Sequence, residues 1–180
     1  MPTGFTLSVY PWVYLAQYDK NGDWTEQFIE QPHKSPSEEA AMDPEDFDRL
    51  LKKRNSIEGL PVVNLTTQYG FGVFEGLKAL PHSDGSLKLF RPDQNAGRFQ
   101  KSMEGLKMPP FPEDMFVEAV KGIARKNLDI GFAPAYDPDW EEDDFIAGHS
   151  MYLRPFTYSE PAIGLGMSSR PWVIIVATPV

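Results

Sequence analysis

Two amphipathic segments lie in the middle of this chain, with strand-like runs before and after them, and that order restricts the fold more than any other feature. The first, "RPDQNAGRFQKSMEGLKM", carries Phe99, Met103 and Leu106 at spacings of four and three. The second, "PEDMFVEAVKGIARKNLDIG", carries Phe116, Val120, Ile123 and Ala124 on one side. Each is the apolar stripe of a helix that packs on a neighbour. Upstream, "FTLSVYPWVYLAQYD" and "WTEQFIE" read as strands joined through "KNGD", where Asn21-Gly22 predicts a tight two-residue hairpin turn. In "PHSDGSLKLF", Asp84-Gly85 predicts a second hairpin turn, with Leu87 and Leu89 alternating into the core. Residues 31–41 read as a loop. The next stretch, "DPEDFDRLLKKR", reads as a short helix capped by Asp43, with Pro44 in its first turn and a stripe of Phe47, Leu50 and Leu51. After the two long helices come an acidic loop, "APAYDPDWEEDD", and the strand-like runs "SMYLRPFTYSEPAIGLG" and "WVIIVATPV". The layout predicts an α+β fold, a mainly antiparallel sheet covered by two or three helices. The last apolar run reads as an exposed edge, prone to association unless something covers it.

A length of 180 residues suits one well-buried domain and is too short for two of ordinary size. The chain has no cysteine, which excludes disulfides, thiolate nucleophiles and cysteine-based zinc sites. A formal charge of −9, from 26 acids against 17 bases, argues against nucleic acid as a partner. The N-terminal stretch lacks the pattern of a signal peptide, and no apolar run reaches the length of a membrane span. The expectation is a soluble, cytoplasmic protein.

The stretch "YGFGVFEGLKAL", Tyr69 to Leu80, sharpens the question of function. As a strand it places Gly70, Gly72, Phe74 and Gly76 on one nearly bare face, where a ligand or another backbone must come close. A tight turn followed by a bulged strand reads equally well from the spacing. The stretch has neither the dinucleotide fingerprint nor the ending of a P-loop. His33, His82 and His149 lie far apart, and the acids Asp137, Asp139, Glu141, Glu142, Asp143 and Asp144 lack the glycine of a calcium hand, so they read as a solvated loop. No serine–histidine or paired-carboxylate arrangement is evident. Arg98 precedes Phe99 at the border of the buried stripe. Tyr152 and Arg154, two residues apart in "MYLRPF", share a strand face, as a carboxylate grip or as a surface ladder pair.

Taken together, "YGFGVFEGLKAL", "DGSLKLFRPDQNAGRF", "MYLRPF" and "SEPAIGLG" closely resemble the branched-chain aminotransferases, members of the fold-type IV pyridoxal phosphate enzymes. The resemblance runs from about Thr67 to Val180 and is looser in the N-terminal hairpin; residues 31–60 look longer than in that family. It implies that Arg98 holds the cofactor phosphate, that Tyr69, Phe74 and Gly76 line the substrate pocket, and that Tyr152 and Arg154 face substrate carboxylates. It also implies that Ile163 and Leu165 reach into the partner's pocket in a homodimer. The implied substrates are leucine, isoleucine or valine with 2-oxoglutarate or glutamate, and the cofactor is pyridoxal 5'-phosphate. Within the family, a D-amino acid aminotransferase or an aminodeoxychorismate lyase fits the apolar residues Phe74, Ile163 and Leu165 less well. The lysine that links to the cofactor lies in a second domain of that family, so residues 1–180 are expected to be the N-terminal, small domain, without a catalytic residue of their own and inactive alone. A stand-alone interaction or dimerisation module is the rival expectation.

Overall fold

The computed structural model describes residues 8–139 and 150–180. Six strands form one sheet: β1 (Trp12–Tyr18), β2 (Trp24–Glu30), β3 (Leu77–Pro81), β4 (Leu87–Leu89), β5 (Met151–Tyr158) and β6 (Trp172–Pro179). They pair antiparallel throughout, in the order β2-β1-β6-β5-β3-β4. Five helices accompany them: α1 (Pro36–Ala40), α2 (Pro44–Arg54), α3 (Leu65–Tyr69), α4 (Pro92–Gly105) and α5 (Glu113–Asp129). The α+β expectation holds, and the two long helices α4 and α5 cover one face.

Alternation is cleanest in β5, where Met151, Leu153, Pro155 and Thr157 are buried while Tyr152, Arg154, Phe156 and Tyr158 lie half-buried on the other face. On the helix side, Tyr14, Met151, Leu153, Val173 and Ile175 meet Phe99, Met103, Phe116, Val120 and Ile123 in the main core. The two predicted stripes are therefore the buried faces of α4 and α5, except that Leu106 ends up half-buried at the C-cap of α4. Helix α5 sits close enough to the sheet that a methyl group on Gly122 would lie 2.5 Å from the Phe28 ring. Only glycine allows that approach. On the same helix, buried Asn127 accepts the backbone N–H of Trp12 at 3.0 Å and donates to the Ile123 carbonyl at 2.9 Å.

Several expectations need correction. The strand β6 is not an edge. It lies between β1 and β5, with Tyr14 opposite Ile175 and Leu153 opposite Ala177. Its continuous apolar character follows from cover on both faces: Val173, Ile175 and Ala177 enter the main core, and Ile174 joins Val13 and Leu15 in a smaller cluster on the far face. The first hairpin turns through residues 19–23 rather than two residues, because Tyr18 pairs with Trp24. There the Asp19 carboxylate accepts the backbone N–H groups of Asn21 and Asp23 at 2.8 and 3.1 Å, a local alternative to the tight turn.

Residues 31–41, expected as a loop, contain α1, which is started by a capping box between Ser35 and Glu38. Helix α2 forms as expected, with Asp43 as its cap, but Phe47, Leu50 and Leu51 are only half-buried. Its anchor is Arg54, 2% exposed, whose guanidinium pairs with Glu39 of α1 and donates to the carbonyls of Val9 and Pro32, each at 3.1 Å. The charged end of the helix thus contains its most buried side chain.

Candidate functional site

The glycine stretch is not one strand. Asn64 caps the single turn of α3 by accepting the Thr67 N–H, and the turn closes at Gly70 in the left-handed region, φ 66°. The chain then runs beside β5 before β3 begins at Leu77: Thr157 N–H donates to the Val73 carbonyl and Glu75 N–H to the Pro155 carbonyl, both at 2.9 Å. A single bridge pairs Phe74 with Phe156. The turn-then-strand reading is nearer the truth. The signal for it was present in "NLTTQYG", with a capping asparagine at one end and a terminating glycine at the other.

The bare positions are nonetheless needed. A methyl group on Gly76 would lie 2.1 Å from the Tyr152 hydroxyl, so the missing side chain is what lets the phenol lie across this backbone. That hydroxyl accepts from Arg154 Nε at 3.0 Å and Nη2 at 2.7 Å, and the guanidinium sits 4.7 Å from the centre of the Phe74 ring. Phe74 itself is 66% exposed. Phe74, Gly76, Tyr152 and Arg154 therefore form one cluster on the face of the sheet away from α4 and α5.

Arg98, on α4, reaches the same stretch of chain at Glu75, a residue that sequence reasoning had passed over. The Glu75 carboxylate accepts from Arg98 Nε at 2.9 Å and Nη2 at 3.1 Å, and from Asn95 Nδ2 at 2.8 Å. Asn95 also donates to the Gly76 carbonyl at 3.2 Å. Burial pushes the Glu75 carboxyl upward, but the hydrogen bonds from Arg98 and Asn95 and the guanidinium charge outweigh it, leaving the group below the usual carboxylate range. The pair with Glu75 uses Nε and Nη2 of an exposed guanidinium, and Nη1 takes no part in it.

Tyr69, at the end of α3, and Ile163 and Leu165, on the loop between β5 and β6, belong to an adjoining pair of connections. Ser159 and Thr66 hold these loops together, with Thr66 N–H donating to the Ser159 hydroxyl at 2.9 Å and Ser159 N–H to the Thr66 hydroxyl at 3.0 Å. The Thr66 hydroxyl also donates to the Phe71 carbonyl at 2.9 Å, which ties them to the Phe74 stretch. Gln68 reaches across to the Ala162 carbonyl at 2.9 Å. Ile163 and Leu165 are 82% and 97% exposed, so within this chain they wall no pocket.

Glu160, also absent from the sequence reading, closes the loop that carries them. Its buried carboxylate accepts from the Ser168 hydroxyl, from the Ser169 N–H at 2.7 Å and hydroxyl at 3.1 Å, and from the Arg170 N–H at 3.1 Å. Burial pushes this carboxyl up, and the hydrogen bonds overcome it and hold the group below its ordinary value. A carboxyl lowered in the folded state contributes stability that is present above its unfolded value, about 4.3, and is lost as pH falls through the folded value. The stability difference between wild type and Glu160→Gln, measured by urea unfolding, should therefore be largest near neutral pH and shrink below about pH 4. A difference that stays constant from pH 7 to pH 3 would show that the charge is not what closes the loop.

Among the described residues no group of three or more histidine or carboxylate side chains is placed to hold a metal ion, and no helix is long and apolar enough to cross a membrane. His149 and the acids Glu141, Glu142, Asp143 and Asp144 lie outside the described residues.

No family model matches the chain. A branched-chain amino acid aminotransferase of Glarea lozoyensis is 37% identical over 124 residues, which cover 67% of this chain and 32% of the relative. A branched-chain-amino-acid transaminase of Bacillus subtilis is 38% identical over 113 residues, 62% of this chain and 28% of the relative. The matched stretch thus spans about a third of the length of these curated relatives. In structure, the chain superposes on the branched-chain amino acid aminotransferase of Escherichia coli with a TM-score of 0.55 and 19% identity, covering 95% of this chain and 40% of the other. The enzyme of Thermoproteus uzoniensis, solved with norvaline, gives a TM-score of 0.53 at 23% identity, with 94% and 41% covered. At those identities the two structures establish a shared fold.

Proposed function

We propose a role for this chain from the family to which it is related, the branched-chain amino acid aminotransferases: it is the N-terminal, small domain of such an enzyme. The whole enzyme moves an amino group between leucine, isoleucine or valine and 2-oxoglutarate, in the cytoplasm and as a homodimer. The observation that carries the reading is the juxtaposition of Arg98, held by Glu75, with the Tyr152–Arg154 pair around Gly76. Two guanidinium groups and a phenol gathered at the adjacent residues Glu75 and Gly76 suit a substrate and a cofactor that are both anionic. A module that only dimerised would have no use for the three together.

The donor set fits pyridoxal 5'-phosphate, which supplies an electron sink when bound. Arg98 would hold its phosphate, with Glu75 fixing the guanidinium. Tyr152 and Arg154 would receive substrate carboxylates, and the exposed ring of Phe74 would meet the apolar side chain of a branched-chain amino acid. Tyr69 would border the same pocket, and Ile163 and Leu165, exposed on their loop, would complete the pocket of the second subunit. The lysine that bonds to the cofactor is assigned to a second domain. A lysine that acts as a nucleophile needs desolvation or a cationic neighbour, and the lysines here are exposed apart from Lys126, which lies over the Trp12 ring at 4.3 Å.

The test compares two proteins. In the protein that carries this domain together with a lysine-bearing one, Arg98→Ala should weaken retention of pyridoxal phosphate by about an order of magnitude, as expected for a charge-assisted contact, measured by equilibrium dialysis. An unchanged dissociation constant removes Arg98 from the site. The 180 residues alone, given pyridoxal phosphate, leucine and 2-oxoglutarate, should form no glutamate. Turnover, together with borohydride trapping of the cofactor on one lysine, would place the catalytic amine within these residues.

A further inference from the structure

The segment between β2 and α3 crosses the face of the sheet that α4 and α5 leave open, and its fit there is incomplete. Ile57 and Leu60 pack on the small cluster of Val13, Leu15 and Ile174. Between them and the sheet remains a cavity of about 180 Å³, partly open to solvent and walled by Val13, Ile57, Leu60, Phe156, Tyr158 and Ile174. Arg54 and Asn55 are its polar members. Protein interiors are otherwise packed to crystal density, and a void of this size forfeits the contacts that its lining atoms would make.

We propose that this cavity is a binding site for a compact, uncharged apolar molecule between an isobutyl group and toluene in size. The size follows from volume: an apolar cavity of about 150 Å³ lined by aliphatic and aromatic side chains stays dry and takes benzene. The absence of charge follows from Arg54. The residue is 2% exposed and its charge is already balanced by Glu39, so it is a poor seat for a second carboxylate. The Tyr158 hydroxyl is committed to the Pro61 carbonyl at 2.7 Å. Apart from the Asn55 side chain, what is left for an occupant is aliphatic and aromatic surface. The site is distinct from the Arg98 and Arg154 cluster and does not depend on the function proposed for it. It shares one wall with that cluster, because Phe156 lines the cavity and bridges to Phe74.

Toluene is the probe. Added near saturation to the 180-residue chain, it should raise the melting temperature by roughly 2–4 °C. Sodium glutarate, charged and of similar length, should not do so through this cavity. Ile57→Phe, which fills the space from the lid side, should abolish the toluene shift. In the wild type, nuclear Overhauser contacts should connect toluene protons to the methyl groups of Ile57 and Ile174, a result that does not depend on the variant folding. Absence of those contacts, or an equal toluene shift in a folded Ile57→Phe protein, would overturn the assignment.

Discussion

Arg54→Ala should lower the unfolding free energy by about 3–5 kcal/mol, the range for removing one partner of a buried ion pair. Arg54 is 2% exposed and Glu39 8%, so alanine would leave a carboxylate inside the protein, with the Lys34 N–H, 3.0 Å away, as its remaining described hydrogen bond. It would also strand the carbonyls of Val9 and Pro32, which the guanidinium now serves. Three acceptors in three directions suit a planar fork, so Arg54→Lys should recover only part of the loss. The double variant Arg54→Met, Glu39→Leu should recover more, since replacing both members of a buried pair by apolar groups is often neutral. Urea denaturation of the four proteins measures these differences. A loss below about 1 kcal/mol for Arg54→Ala would mean that α1 and α2 are not fastened to the sheet through this residue.

Asn64→Ala is the second large effect expected. The Asn64 side chain is fully buried; its oxygen accepts from the Thr67 N–H at 2.9 Å and the Ser159 hydroxyl at 3.2 Å, and its nitrogen donates to the Pro61 carbonyl at 2.6 Å. Alanine leaves two donors and one acceptor with a partner lost, at about 1–3 kcal/mol for each that finds no substitute. Ser159 keeps its contacts with Thr66, so the total should fall short of the sum. The damage should also be local. Loosening this knot separates the turn that carries Tyr69 from the loop that carries Ile163, and limited proteolysis should cut between residues 61 and 70 or between 160 and 170 before the rest of the chain. Cleavage at the same rate and sites as in the wild type would argue that the two loops are held together elsewhere.

Features with strong periodicity were legible in the sequence. The helices α4 and α5 were marked by spacing alone, and the pairing of Tyr152 with Arg154 followed from the two-residue period of a strand. The groups that organise the site were not, because each works through a contact distant in sequence. Glu75 gains its meaning from Arg98 on a different element, and Gly76 from a phenol on β5. Arg54 closes a basic helix end, a pattern that ordinarily means a solvated face, and only its buried partners reveal otherwise. The central place of β6 was hidden for a similar reason: strand order is a property of the sheet, and an apolar run reads alike at a covered edge and in the middle.

That strand order also determines how the molecule can be assembled. The hairpin of β1 and β2 touches the rest of the sheet only through β6, whose partners come from opposite ends of the sequence. Until Trp172–Pro179 is in place, the chain holds two unfinished half-sheets, each with an open flank. Closing the gap between Tyr14 and Ile175 spans nearly the whole sequence, so its entropy cost falls late and must be met before the contacts return anything. Folding should therefore be slow for a domain of this size, and β6 acts as the keystone of an arch whose two sides share helix α5 but join within the sheet only when it arrives.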